Sequence, residues 1–251
     1  MVLLLVPDLQ WKLSFYLMID YKKRSSQKEI LDQKNIPFDD IALNMKELDF
    51  INTHLGGHSI TIAGLKQLLQ TRKKIFVCEI GCGGGDNLKS LDKFCKKKLI
   101  KSSFAGIDIN KDCIAFAKQN TKIQHVNFIV SDYRDNDFKT GKPDIIFSSL
   151  FCHHFTDDQI VEMLHWMKEN STVGFFINDL HRHPLAYHFI KIITRLFSGS
   201  YLVKNDAPIS VLRGFKKSEW KSIFKRAGIE DFSIRWKWAF RYLIIAPKDK
   251  K

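Results

Sequence analysis

Short apolar runs alternate with amphipathic stretches through most of the chain. The apolar runs predict strands at 75–80, 104–108, 126–130, 144–150 and 172–178. Apolar positions three and four residues apart predict helices between them, as at 86–97 and 111–120. Thr156 and Gln159 have the spacing of a capping box, which predicts a helix from there to Lys168. Strands that alternate with helices in this way indicate a parallel sheet covered on both faces.

The segments on either side of this alternation predict further helices. Residues 41–51 carry apolar side chains at helical spacing, Gly56-Gly57 ends that helix, and a second helix is predicted at 61–70. After the fifth strand, residues 184–203 present one apolar helical face, and 218–227 predicts a last helix.

Two extended segments close the chain, at 232–236 and 240–246. They are so close in sequence that they can pair only as a hairpin, which requires an antiparallel strand. The predicted fold is therefore α/β: a doubly wound, mostly parallel seven-stranded sheet with an antiparallel C-terminal hairpin strand, an N-terminal helical cap and a helical lid insertion. We expect an N-terminal extension at 1–40 and one domain at 41–251, with the lid at about 184–214.

The first 19 residues are apolar but are interrupted by Pro7, Asp8 and Lys12. They lack the basic leading segment and the cleavage site of a signal peptide, and they are too interrupted for a membrane span. We expect a peripheral helix or loosely attached extension, with peripheral membrane contact as the alternative.

Composition narrows the classes of partner. The formal charge is +13, but most basic residues are lysines in short separated clusters, which favours a solvated surface over nucleic-acid binding. None of the five cysteines belongs to a C-x-x-C pair. Their spacing argues against a zinc site or a disulfide framework and favours a reducing cytoplasm, and no metal site is expected.

Glycines alternate at Gly81, Gly83 and Gly85, directly after the first strand and before a helix. Glycine in that position permits a tight turn and lets a ligand approach bare backbone. Asp108 ends the second strand, where a carboxylate can accept hydrogen bonds from ribose hydroxyls. Glu79 lies inside the first strand, and its carboxylate needs a polar or cationic partner there. These features predict a nucleotide-type ligand.

The segment 77–85 resembles the first motif of class I S-adenosylmethionine-dependent methyltransferases, 106–109 resembles the second, and 131–133 the third. Residues 144–155 resemble the fourth motif, in the form found in the branch that methylates quinones and polyketides. The resemblance covers about 41–247 and implies S-adenosylmethionine as the cofactor.

The resemblance also implies which residues contact that cofactor. They are Glu79, Gly81, Cys82, Gly83, Gly85, Asp108, Ile109, Asp132, Tyr133, Ser148 and Ser149. Within this set Asp108 would hold the ribose, Ile109, Asp132 and Tyr133 would contact the adenine, and the glycine turn with the two serines would line the methionine part.

His153 and His154 are the candidate catalytic residues. They follow the fourth strand at its carboxyl end, where ligands bind in open α/β sheets, and histidine titrates in a useful range for accepting a substrate proton. The polar segment 178–183 after the fifth strand is a further candidate for the substrate end, and His58 for the cofactor.

We therefore expect methyl transfer from S-adenosylmethionine to oxygen or carbon of a small, lipophilic phenol, quinol or polyketide, covered by the apolar lid. The alternatives are an RNA (tRNA or rRNA) methyltransferase and a cofactor-binding protein without catalysis. Residues 148–151 lack the Asn/Asp-Pro-Pro-aromatic run of nucleic-acid amino methyltransferases, which argues against RNA. The sequence leaves the oligomeric state open.

Overall fold

The computed structural model describes residues 19–33, 35–138 and 141–248. Within these ranges the chain forms a seven-stranded sheet in the order β3-β2-β1-β4-β5-β7-β6. The strands are β1 Lys74–Ile80, β2 Lys101–Asp108, β3 Val126–Val130, β4 Ile145–Ser149, β5 Gly174–Leu180, β6 Ser233–Lys237 and β7 Arg241–Pro247. Strands β1 to β5 pair in parallel, and β7 runs antiparallel to both β5 and β6. The predicted fold class is confirmed.

Eight α-helices accompany the sheet within the same ranges. They are α1 Phe38–His54, α2 Gly57–Leu69, α3 Asp86–Lys97, α4 Lys111–Asn120, α5 Asp157–Asn170, α6 Pro184–Phe197, α7 Tyr201–Arg213 and α8 Lys217–Arg226. Among these residues no helix has both the length and the apolar character needed to cross a membrane. The predicted role of residues 1–19 concerns a segment that lies almost wholly outside the described residues.

Local sequence signals set several helix ends as predicted. Helices α3 and α4 have the predicted bounds, and the capping box at Thr156 and Gln159 is present at the start of α5. Helix α2 begins four residues earlier than the apolar pattern indicates, because Gly56 adopts a left-handed conformation (φ 79°) that lets the chain turn directly into the next helix.

The lid insertion contains two helices, α6 and α7, where the sequence pattern showed only the apolar face of the first. Pro208 lies inside α7, and proline is disfavoured there because it removes a backbone donor, so local pattern did not reveal this helix. Ser198 ends α6 and the Ser200 hydroxyl caps α7, accepting from the Val203 amide.

The sheet is buried by helices on both faces. Helices α5 and α8 cover one face with large side chains such as Met163, Trp220 and Phe224, which are fully buried. Helices α2, α3 and α4 cover the other face through Leu65, Leu88 and similar residues. The carboxyl ends of the parallel strands remain uncovered by this core, which leaves that edge free for a site.

Gly64 allows α2 to pack directly on the sheet. A Cβ at this position would lie 2.5 Å from the ring of Phe176 on β5. That ring is fully buried and stacks on Phe147 of β4, with centroids 4.8 Å apart, so it has no room to move.

Replacing Gly64 with alanine is therefore expected to lower the free energy of unfolding by about 1–3 kcal/mol, the usual cost of overpacking a core. This loss should outweigh the gain of about 1 kcal/mol from better helix propensity. Urea denaturation measures it. Adding Phe176→Leu to the Gly64→Ala variant should recover part of the loss, because it removes the ring that the new Cβ meets. A Gly64→Ala variant as stable as the parent would contradict this packing.

Candidate active site

A cavity of about 1050 Å³ opens at the carboxyl edge of the sheet. Its wall is formed by the loops after β1, β2 and β4, the end of β5, the start of β7, and helices α1, α6 and α7. Residues 25–33, which we call the strap, close a further side and contribute Glu29, Leu31 and Asp32. The described part of the predicted N-terminal extension thus belongs to the cavity wall.

The strap is held to the lid by hydrogen bonds that are distant in sequence. The backbone amides of Ile30 and Leu31 donate to the carboxylate of Asp206 on α7, at 2.8 and 3.0 Å. The Ser210 hydroxyl donates to Glu29 Oε1 at 2.7 Å. Strap and lid therefore form one continuous wall.

The glycine turn and Asp108 meet at one side of the cavity. Gly81, Gly83 and Gly85 all have positive φ, at 65°, 48° and 75°. The Gly83 amide donates to Asp108 Oδ2 at 2.9 Å, and the Asn110 amide donates to Asp108 Oδ1 at 2.8 Å. Burial raises the pKa of Asp108, although these two hydrogen bonds act in the opposite direction and lower it. Each carboxylate oxygen can accept a further hydrogen bond from a ligand.

Glu79 presents a carboxylate with unused hydrogen-bonding capacity to the same region. Its Oε1 accepts from the side-chain amide of Asn87 at 3.0 Å, whereas its buried Oε2 has no hydrogen-bond partner among the described residues. Burial, and then the charge of Asp86, raise the pKa of Glu79 well above its usual value. A cationic group in the cavity would satisfy this oxygen and offset its cost of burial.

A chain of polar side chains continues the wall. His58 Nε2 lies 2.8 Å from Asp86 Oδ2, Asn52 donates to the same oxygen at 3.0 Å, and Arg241 Nη2 donates to Asn52 Oδ1 at 2.9 Å. His58 lies behind Asp86 and does not itself line the cavity. Arg241 was not singled out from the sequence, although an arginine that opens an apolar strand is a signal that could have identified it.

Arg241 is almost completely buried, and burial lowers its pKa to about 10. Its Nε and Nη1 have no hydrogen-bond partner in the part of the chain that the structure describes. The wall thus holds one arginine beside several carboxylates, an environment suited to a ligand that carries charges of both signs.

Several predicted cofactor residues line this cavity. They are Glu79, Gly81, Cys82, Gly83, Asp108, Ile109 and Ser149, and the predicted catalytic residues His153 and His154 line it too. Ile109 is 74% exposed and therefore offers an apolar surface to a ligand.

The other four predicted cofactor residues are not among those that line the cavity. Gly85 begins α3, where a Cβ would lie 2.9 Å from the Phe128 ring. Asp132 accepts hydrogen bonds from the Arg134 amide and guanidinium. The ring of Tyr133 is buried against Phe151 and Trp166.

The fourth of them, Ser148, has its hydroxyl 3.3 Å from the Cys152 thiol, away from the cavity. Its neighbour Ser149 lines the cavity because successive side chains of a strand point to opposite faces of the sheet.

The histidine pair lies between carboxylates. His153 Nδ1 is 2.8 Å from Asp179 Oδ1 and its Nε2 is 3.5 Å from Glu29 Oε1. Burial opposes a charge on His153, but Asp179 and Glu29 outweigh it and raise its pKa to about 9. His154 is more exposed, with Nδ1 3.3 Å from Asp32 Oδ1. The two carboxylates thus favour the doubly protonated, cationic form of the His153 ring.

The polar segment 178–183 serves mainly to hold these elements in place. Asn178 donates to Ser149 Oγ and to the Gly57 carbonyl, at 3.2 Å in each case. Arg182 is buried and pairs with Glu219. Burial, with the charges of neighbouring residues, lowers the pKa of His181 to about 4.

Comparison with known proteins gives a family match over the central part of the chain. Residues 77–194 match a family model described as a methyltransferase domain. This segment contains the glycine turn, Asp108, both histidines and β5. No curated protein sequence matches the chain.

Solved structures of low sequence identity share the fold. The plantazolicin methyltransferase BpumL in complex with SAH is 15% identical with a TM-score of 0.60, over 84% of this chain and 96% of that chain. A SAM-dependent methyltransferase from Aquifex aeolicus is 17% identical with a TM-score of 0.60, over 85% of this chain and 99% of that chain. Magnesium protoporphyrin IX methyltransferase from Synechocystis PCC 6803 is 16% identical with a TM-score of 0.55, over 88% and 91%.

The sheet order with its antiparallel β7 and the family match lead to the same assignment. The chain contains a methyltransferase domain, matched over residues 77–194, and has the fold of S-adenosylmethionine-dependent methyltransferases.

Proposed function

We propose that the acidic half of the cavity binds S-adenosylmethionine and that the apolar half binds a small, lipophilic methyl acceptor. The observation that carries this proposal is a single cavity that joins the Gly81–Gly84 turn and Asp108 to the apolar faces of α1, α6 and α7. When bound, the cofactor supplies an electrophilic methyl group on its sulfonium sulfur. The residues of the chain bind both partners, align them and exclude water.

The residues of the acidic half fit a cationic cofactor. The unpartnered Oε2 of Glu79 is suited to an ammonium group, and Asp108 is suited to accept from ribose hydroxyls while it holds the Gly83 amide. Ile109 is placed to cover a flat adenine ring. Three carboxylates, those of Glu79, Asp86 and Asp108, lie in this wall, so a ligand with net positive charge is favoured over a dinucleotide.

The other half of the cavity favours an apolar acceptor. Helix α1 contributes Leu48 and Ile51, and the lid contributes Phe189, Ile190 and Val211. A mostly apolar pocket with a few convergent polar groups is typical of small-molecule sites. The polar groups in this half include those of Glu29, His153 and His154. We infer that they receive the hydroxyl or activated carbon of a phenol, quinol or polyketide.

The position of two basic clusters, 72–74 and 96–98, also supports a small acceptor over RNA. Lys74 and Lys101 begin β1 and β2, and Lys96 and Lys97 end α3. These residues lie at the amino edge of the sheet, opposite to the cavity. A basic surface that guides RNA to the cofactor would be expected beside the cavity mouth.

Asp108→Asn is expected to weaken binding of S-adenosylhomocysteine by roughly 10- to 100-fold, because hydrogen bonds to a charged group contribute about 1.5–3 kcal/mol. Isothermal titration calorimetry measures this. Asp132→Asn is the matched control, since Asp132 follows the neighbouring strand and does not line the cavity. It should bind within about twofold of the parent. Equal losses in both variants, or unchanged affinity in Asp108→Asn, would refute the ribose contact.

The acceptor class is tested by mass spectrometry of phenols, quinols and polyketides incubated with methyl-labelled cofactor. Phe189→Ser should raise KM for a lipophilic acceptor about five- to tenfold, because the acceptor loses its apolar contact with the ring, about half of the free energy of burying a phenylalanine. The same variant should bind the cofactor as tightly as the parent. Leu196→Ser, on the same helix but outside the cavity wall, should change neither. Methylation of bulk tRNA in place of the small acceptors would overturn the proposal.

A further inference from the structure

Three potential metal ligands converge in the acceptor half of the cavity. His153 Nε2 lies 3.5 Å from Glu29 Oε1, and His154 Nε2 lies 3.9 Å from Glu29 Oε2. One ligand atom from each of these three residues lies within 4.8 Å of the others. Glu29 and His153 are nearly fully buried, yet all three residues line the cavity. The Nε2 atoms of both rings therefore face one carboxylate.

Each ring has a separate carboxylate on its other nitrogen. His153 Nδ1 lies 2.8 Å from Asp179 Oδ1, and His154 Nδ1 lies 3.3 Å from Asp32 Oδ1. A ring that donates its Nδ1–H outward can offer the lone pair of Nε2 to a metal ion, whose binding displaces any proton held there. Metal-bound histidines show this arrangement, in which an outer carboxylate fixes the tautomer and the ring orientation.

The outer residues are themselves fixed. Asp179 is fully buried and accepts from the amides of His153 at 3.2 Å and Leu180 at 2.7 Å. Glu29 accepts from the Ser210 hydroxyl. Hydrogen bonds thus hold the cluster in place before any ligand binds, as a built metal site requires.

We propose that Glu29, His153 and His154 bind a divalent cation of the zinc type. Tetrahedral zinc with Zn–N and Zn–O distances of about 2.0–2.1 Å places its ligand atoms roughly 3.3 Å apart. The separations of 3.5 and 3.9 Å approach this geometry, so only small side-chain shifts are needed. Cysteine spacing predicted no metal site, whereas these ligands come from imidazole and carboxylate groups.

Three protein ligands leave a fourth position open, as in catalytic zinc sites. Because all three ligands line the cavity, an acceptor in the cavity could reach that position. An acceptor hydroxyl bound there would ionise more readily and release its proton to water. This use of the ion depends on the proposed function, whereas binding of the ion does not.

The test titrates zinc chloride alone into the purified, chelator-treated chain by calorimetry and repeats the titration with Co²⁺ by absorption spectroscopy. We expect one ion per chain and visible Co²⁺ bands of a four-coordinate site. Glu29→Gln and His154→Ala should each lose this binding, and Asp179→Asn should weaken it roughly 10- to 100-fold. His58→Ala is the matched control, because it removes a histidine from the separate Asp49–His58–Asp86 cluster and should bind the ion like the parent.

Thermal unfolding and titration with S-adenosylhomocysteine show whether each variant is folded and keeps its cofactor site. Loss of the ion with intact cofactor binding supports the proposal even if the acceptor class is wrong. Absence of stoichiometric binding in the parent chain would overturn it. So would unchanged binding in the Glu29→Gln and His154→Ala variants, or loss of the ion in His58→Ala.

Discussion

The hydrogen bond from the Gly83 amide to Asp108 is the contact on which the site depends. Strands β1 and β2 pair in parallel with Ile80 opposite Ile107, so their carboxyl ends lie at the same level. The amides of Gly81 and Cys82 donate to the Ile107 carbonyl, and the turn then closes over the end of β2. The Asp108 carboxylate and the bare backbone of the turn are consequently held together at one side of the cavity.

The charges in the wall divide the cavity into two environments. Carboxylates are costly to bury unless a partner compensates them. Asp86 has His58 and Asn52 as partners, whereas Glu79 keeps one oxygen unpaired and Arg241 keeps two nitrogens unpaired among the described residues. The ammonium of a zwitterionic amino acid group would satisfy the Glu79 oxygen, and its carboxylate would satisfy the Arg241 nitrogens. The lid, by contrast, lines the cavity mainly with apolar side chains, so we propose that the two halves of the cavity select ligands of different polarity.

Local sequence patterns were sufficient to predict the strands, the glycine turn, the position of Asp108 at the end of β2 and the location of the histidine pair after β4. These features rest on short-range spacing and on the rule that parallel strands end at one edge. Side-chain direction was harder to predict: Ser148 and Ser149 belong to the same motif, but the pleat of β4 turns only Ser149 to the cavity. Glu29 and Arg241 escaped prediction because only tertiary folding brings such distant segments together.

The bonds from Ile30 and Leu31 to Asp206 have a consequence for how ligands reach the interior. The strap that carries Glu29 and the helix that roofs the acceptor half are thereby fastened directly to each other. Entry and exit of a bulky molecule on this side would then require both to swing together, withdrawing Glu29 from the imidazoles in the same motion. The proposed metal site would then be complete only while the strap and α7 are closed over the cavity. Methyl transfer and the entry or exit of the acceptor would therefore take place in turn.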